Sequence, residues 1–108
     1  MSILSRIDIL KSFAEEEPEN PFNWYALALE HESTAPEQAE YYYTILLTQH
    51  KVYLPTYYKA AEFFASIGQS ERAEQIYTSG IALAKEKGDF KTLKELQNSY
   101  QNFLFDLE

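Results

Sequence analysis

Residues 21–51, PFNWYALALEHESTAPEQAEYYYTILLTQHK, and residues 55–85, PTYYKAAEFFASIGQSERAEQIYTSGIALAK, decide the architecture when one is slid over the other by 34 positions. The shift superposes Pro21 on Pro55, Ala26 on Ala60, Glu37 on Glu71 and Ala39 on Ala73. It also aligns Glu40 with Glu74, Tyr43 with Tyr77, Thr44 with Thr78 and Lys51 with Lys85, more identities than an accidental overlap of this length supplies. Self-similarity at a period of a few tens of residues marks a stacked-repeat protein, in which each unit buries its apolar face only against its neighbours.

Each period reads as two helices. Asn20 followed by Pro21 is an N-cap and a first-turn proline, whose fixed φ suits a helix start and whose missing N–H is not needed there. That helix is expected to run to about Glu32. Thr34-Ala35-Pro36-Glu37 then offers a threonine cap with a carboxylate three residues on, a capping-box pattern, and the next helix extends to about His50. Pro55 restarts the pattern, Gly68 ends the fourth helix, Ser70 is expected to cap the fifth, and Gly88-Asp89 supplies a stop and the next start.

The flanks add one helix each. Ile3, Ile7, Leu10 and Ala14, with Leu4 and Phe13 beside them, predict a helix from about Ser2 to Glu16, closed by Pro18. Phe90, Leu93, Leu96, Tyr100, Phe103, Leu104 and Leu107 mark the expected buried stripe of the last helix, from Asp89 nearly to the end. The expectation is an all-α chain of about six helices in one domain. Its parts are an N-terminal helix over 1–19, repeats over 20–53 and 54–87, and a capping helix over 88–108.

The residues resemble the tetratricopeptide repeat family, with its pattern W-x2-L-G-x2-Y, A-x3-F and P. Trp24-x2-Leu27-Ala28 and Ala39-x3-Tyr43 carry the resemblance in the first repeat. Tyr57-x2-Ala60-Ala61-x2-Phe64 and Ala73-x3-Tyr77 carry it in the second, with Gly68 at the turn. The opening and middle motifs lie one residue closer in the first repeat, so either the register around Trp24 or the hairpin loop differs there. The resemblance covers nearly the whole chain, most strongly from about Asn20 to Lys87. It implies a right-handed stack of antiparallel helical hairpins that binds other proteins.

Composition narrows the function classes. Hydrophobic residues make up 45% of the 108 and aromatics 16%, enough apolar surface for a packed core. A formal net charge of −8 without a basic patch opposes binding to nucleic acid or to anionic membranes. The chain has no Cys, which removes thiolate metal sites and fits a reducing compartment, so the cytoplasm is the expected location. The first eight residues carry charges where a signal peptide needs an apolar run.

A catalytic or metal site needs converging groups, and His31 and His50 are the chain's two histidines. Neither has a partner at metal-ligand spacing, and each reads as a solvated helix end; no enzyme activity, metal or cofactor is expected. Glu15-Glu16-Glu17 reads as a solvated face, and of Tyr41, Tyr42 and Tyr43 at least one must point away from the core, because successive helical residues diverge by about 100°.

In such arrays the first helix of each hairpin lines a concave surface, and the resemblance places partner peptides there. On the expected registers the groove is formed by Phe22, Tyr25 and Leu29 in one repeat and Tyr58, Glu62 and Ala65 in the next. Exposed Tyr and Phe bury large area with few rotatable bonds, which suits a binding surface. The Lys, Asn and Arg clamp with which family members hold acidic chaperone tails is missing from these positions. The expected function is an adaptor for a protein or peptide; the alternative is a structural unit that self-associates as a homodimer through its terminal helices.

Overall fold

The computed structural model describes residues 5–108, which form six α-helices and no strand. The chain divides into two compact units, Met1–Tyr53 and Leu54–Glu108, the division falling at the boundary between the two 34-residue periods. The first unit holds α1 (Arg6–Glu16), α2 (Pro21–His31) and α3 (Pro36–Gln49), with α1 packed on α2 and α2 on α3. In the second, α4 (Pro55–Ser66), α5 (Ser70–Lys87) and α6 (Phe90–Asp106) all pack on one another.

Prolines set three of the starts. Pro21, Pro36 and Pro55 each stand in the first turn, where the missing N–H costs nothing. At α2 the expected cap forms: the Asn20 side chain accepts the Phe22 N–H at 3.1 Å. The same chemistry starts α1, where Ser5 Oγ accepts the Asp8 N–H, and α6, where Asp89 Oδ1 accepts the Thr92 N–H, both at 3.1 Å. Ser2, Ile3 and Leu4, expected in the first helix, lie outside the described residues.

Two expected caps do not form. Pro36 takes the first helical position, which makes Ala35 the N-cap, so Thr34 stands one residue too early and no side chain caps α3. Ser70 lies inside α5 rather than before it; Gln69 precedes the helix and makes no capping bond.

Glycine ends two helices of the second unit. Gly68 and Gly88 have φ of +84° and +68°, the left-handed region that a side chain disfavours. Each sits in the same pair of reverse hydrogen bonds. Gly68 N–H donates to the Ala65 carbonyl and Gln69 N–H to Phe64; Gly88 N–H donates to Lys85 and Asp89 N–H to Ala84.

The buried faces settle the register left open around Trp24. In α3 and α5, Ala39 and Ala73, Tyr42 and Ile76, Tyr43 and Tyr77, Leu46 and Gly80 are buried at a spacing of 34. In α2 and α4 the buried pairs are Leu27 and Ala60, Ala28 and Ala61, His31 and Phe64, at a spacing of 33. The Trp24 register is therefore shifted by one relative to Pro21, and Ala26 is only half-buried. Side chains such as Leu27 and Leu46, which are fully buried, stabilise the fold by roughly 1.5–3 kcal/mol each.

The last helix departs from its expected stripe. Leu96 and Phe103 are buried and Leu93, Tyr100 and Leu104 half-buried, but Phe90 is 72% exposed and Leu107 is exposed too. Phe90 is the first residue of α6 and Leu107 follows its last.

Candidate functional site

Tyr58, Glu62 and Ala65 recur at i, i+4 and i+7 on α4, so they share one face. With residues of α5 and α6 they line an open groove of about 710 Å³ within the second unit. Opposite them α6 presents Glu95, Ser99, Asn102 and Asp106, again at helical spacing, with Asn98 beside them. Tyr77 of α5 and Phe103 of α6, with ring centroids 5.4 Å apart, give the groove its aromatic base.

Ser99 ties the three helices of this unit together. Its hydroxyl shares a 2.6 Å hydrogen bond with that of Tyr77, and it also meets the Tyr58 hydroxyl. The negative charge of Glu62 raises the Tyr58 phenol above its ordinary value, aided by burial, by the hydrogen bond Tyr58 makes with Glu62, and by the charge of Glu95. Burial foremost raises Tyr77 in the same direction, so both phenols are held as neutral hydroxyls.

The remaining expected groove residues belong to the first unit. Phe22, Tyr25 and Leu29 lie on one face of α2, with Phe22 57% and Leu29 37% exposed. Tyr25 is half-buried and meets Tyr53 edge-on at 5.9 Å; burial, then Tyr53 and Glu32, raise its phenol. A smaller cleft of about 540 Å³ in this unit is lined by Glu19, Pro21 and residues 48–53. The six expected residues thus form two sets of three, one in each unit.

The α6 wall is the part that sequence reasoning missed. Glu95, Ser99, Asn102 and Asp106 form a polar stripe at helical spacing, a pattern that by itself marks a solvated face as readily as the wall of a cleft.

The histidines are not the solvated helix ends expected. His31 is buried at the position that Phe64 holds in the other hairpin; its Nδ1–H donates to the Leu27 carbonyl at 2.8 Å and its ring lies 5.4 Å from Tyr42. The hydrogen bond within its own helix satisfies the ring in place of water. His50, following α3, is half-buried, and its Nε2 is enclosed without a hydrogen-bond partner. Among the described residues, no three of His, Asp and Glu converge in a geometry that could hold a metal ion.

The surface features behave as their chemistry requires. Glu15, Glu16 and Glu17 are all exposed, and Tyr41 turns outward while Tyr42 and Tyr43 are buried. Among the described residues, no helix is long and apolar enough to cross a membrane.

No family model matches the chain, and no curated protein matches it in sequence. It is similar in fold to the solution structure of protein BPP2914 from Bordetella parapertussis, with a TM-score of 0.78 and 18% sequence identity. The likeness covers 96% of this chain and 91% of that one, and is one of fold.

Proposed function

We propose that the chain is a tetratricopeptide-type repeat protein that acts as a protein-binding adaptor in the cytoplasm, holding a segment of a partner in the α4–α6 groove and carrying out no reaction. The observation that carries this reading is the groove itself, a cleft of about 710 Å³ with aromatic side chains at its base and hydroxyl and carboxylate groups on its walls. Clefts of a few hundred Å³ or more with an apolar base and placed polar groups are where proteins bind ligands. A segment of chain suits it because the polar walls can pair with a peptide backbone while Tyr58 and Leu107 offer apolar contact. The recurrence of buried pairs between the two hairpins supports the repeat assignment.

Co-purification from native lysate, comparing wild type with a Tyr58→Ala variant whose folding is checked by circular dichroism, tests the reading. A protein held by wild type and released by the variant is the expected result. Recovery of the same proteins by both removes the groove from the account.

One observation favours a second reading, self-association through the last helix. Phe90 and Phe105 of α6 are 72% and 73% exposed, large apolar side chains whose burial would stabilise a dimer. Sedimentation velocity of wild type and of Phe90→Ser/Phe105→Ser decides it: a concentration-dependent dimer lost in the variant establishes self-association, and a monomer throughout excludes it.

A further inference from the structure

Resting on the adaptor reading, we propose that the α4–α6 groove takes a basic segment of a partner chain, one whose Lys or Arg side chain enters between Glu62 and Glu95. The charges lining the groove are of one sign. Glu62 stands on the α4 wall and Glu95 and Asp106 on the α6 wall, and among the described residues no Lys, Arg or His lines it. An acidic segment would set like charge against three carboxylates, whereas a basic one replaces water at each.

Three further features select a long cationic side chain. Half-buried Tyr58 and exposed Leu107 give the groove accessible apolar surface, so the aliphatic stem of Lys or Arg can lie along them while its charged head reaches the wall carboxylates. Asp106 falls in the last turn of α6, which has no basic residue to offset the negative end of the helix dipole, so the groove gains negative potential at that end. Side-chain oxygens of Asn98, Ser99 and Asn102 add neutral acceptors between the carboxylates, a set that suits the several donors of a guanidinium. Glu62 first and Glu95 after it raise the Tyr58 phenol, against a smaller lowering by its hydrogen bond with Ser99, so both carboxylates act on one groove hydroxyl. The net charge of −8 steers a basic partner toward the chain from a distance.

Panning a random dodecapeptide display library on the immobilised full chain tests this. Wild type, Glu62→Gln/Glu95→Gln and Tyr58→Ala are compared, each checked for an unchanged helical signal and melting transition. Glutamine keeps the shape of the walls and an acceptor for Tyr58 while removing the charge. Peptides retained by wild type are expected to be rich in Lys and Arg. The affinity of the best of them, resynthesised and measured by fluorescence anisotropy, should fall roughly tenfold in the double glutamine variant and weaken with added salt. Retained peptides with no basic bias, or an affinity unchanged in the double glutamine variant, overturn the assignment. If such unbiased peptides are lost with Tyr58→Ala, the groove still binds and only its basic preference fails; if neither variant alters the retained set, both readings fall.

Discussion

The α2–α3 and α4–α5 hairpins share a 34-residue template but close their cores with different side chains. At the position where α4 buries Phe64, α2 buries His31, satisfied by the Leu27 carbonyl. Gly80 of α5 has Leu46 as its counterpart in α3, and the aromatics at the matching positions of α4 and α2 differ too. Tyr57 packs against the bare backbone of Gly80 and is buried, whereas Trp24 is only half-buried and its indole N–H donates to the Pro18 carbonyl at 2.9 Å. Even the paired tyrosines diverge, Tyr43 donating to Glu32 at the turn of its own hairpin and Tyr77 bonding to Ser99 of the following helix. The repeat therefore specifies where large and small residues meet, while their identities are solved separately in each unit.

The largest effect should come from the position where the two hairpins differ most. Phe64 is fully buried, in edge contact with Phe63 at 5.3 Å and beneath the Arg72 guanidinium at 4.1 Å. Phe64→Ala should lower stability by about 3–5 kcal/mol in urea denaturation, through lost transfer energy and the cavity left behind. His31→Ala should cost clearly less, because a smaller ring is lost along with the polar group that needed satisfying. Equal losses at the two positions would mean that the histidine is as much a packing residue as the phenylalanine.

Gly80 sharpens the same contrast. A Cβ added there would lie 2.6 Å from Tyr57 Cβ and 3.0 Å from Cγ, and neither atom is the free end of a flexible side chain. Gly80→Ala should therefore destabilise by roughly 1–3 kcal/mol as α4 and α5 are forced apart, although alanine is the better helix former by about 1 kcal/mol. A gain in melting temperature would show that the helices can part without loss.

These differences mark what could be read in the residues. Helix number and period were legible because Pro21, Pro55, Gly68 and Gly88 act through their own backbone restrictions, whatever surrounds them. The burial of His31 was not, because its polarity suggests water while its helix supplies the hydrogen bond. Half of the groove was legible, in Tyr58, Glu62 and Ala65. Its other wall was hidden because a polar stripe on a last helix reads the same whether it faces solvent or another helix across a cleft.

Gly68→Ala and Gly88→Ala should each cost about 1 kcal/mol, the penalty of a side chain in the left-handed region. An added Cβ at either position meets nothing within 4 Å, so the loss would be purely conformational. An asparagine at either site should recover part of it, since that residue tolerates the region better. A loss well above this in Gly68→Ala would instead place strain in the reverse bonds to Phe64 and Ala65.

The smallest effects separate real caps from apparent ones. Asn20→Ala removes the acceptor for the Phe22 N–H and should cost about 1 kcal/mol. Thr34→Ala and Ser70→Ala, which sequence reasoning alone would rank with it, should each change stability by less than about 0.5 kcal/mol. Thr34 stands two residues before the proline that fixes the start of α3, too early to reach its first-turn N–H groups as an N-cap would. Ser70 is already helical, where its hydroxyl competes with the backbone and alanine has the higher propensity, so Ser70→Ala should lean toward a slight gain. A loss near 1 kcal/mol in Thr34→Ala would show that threonine caps α3 in solution after all, and that both helices of the first unit's hairpin begin by the same side-chain device.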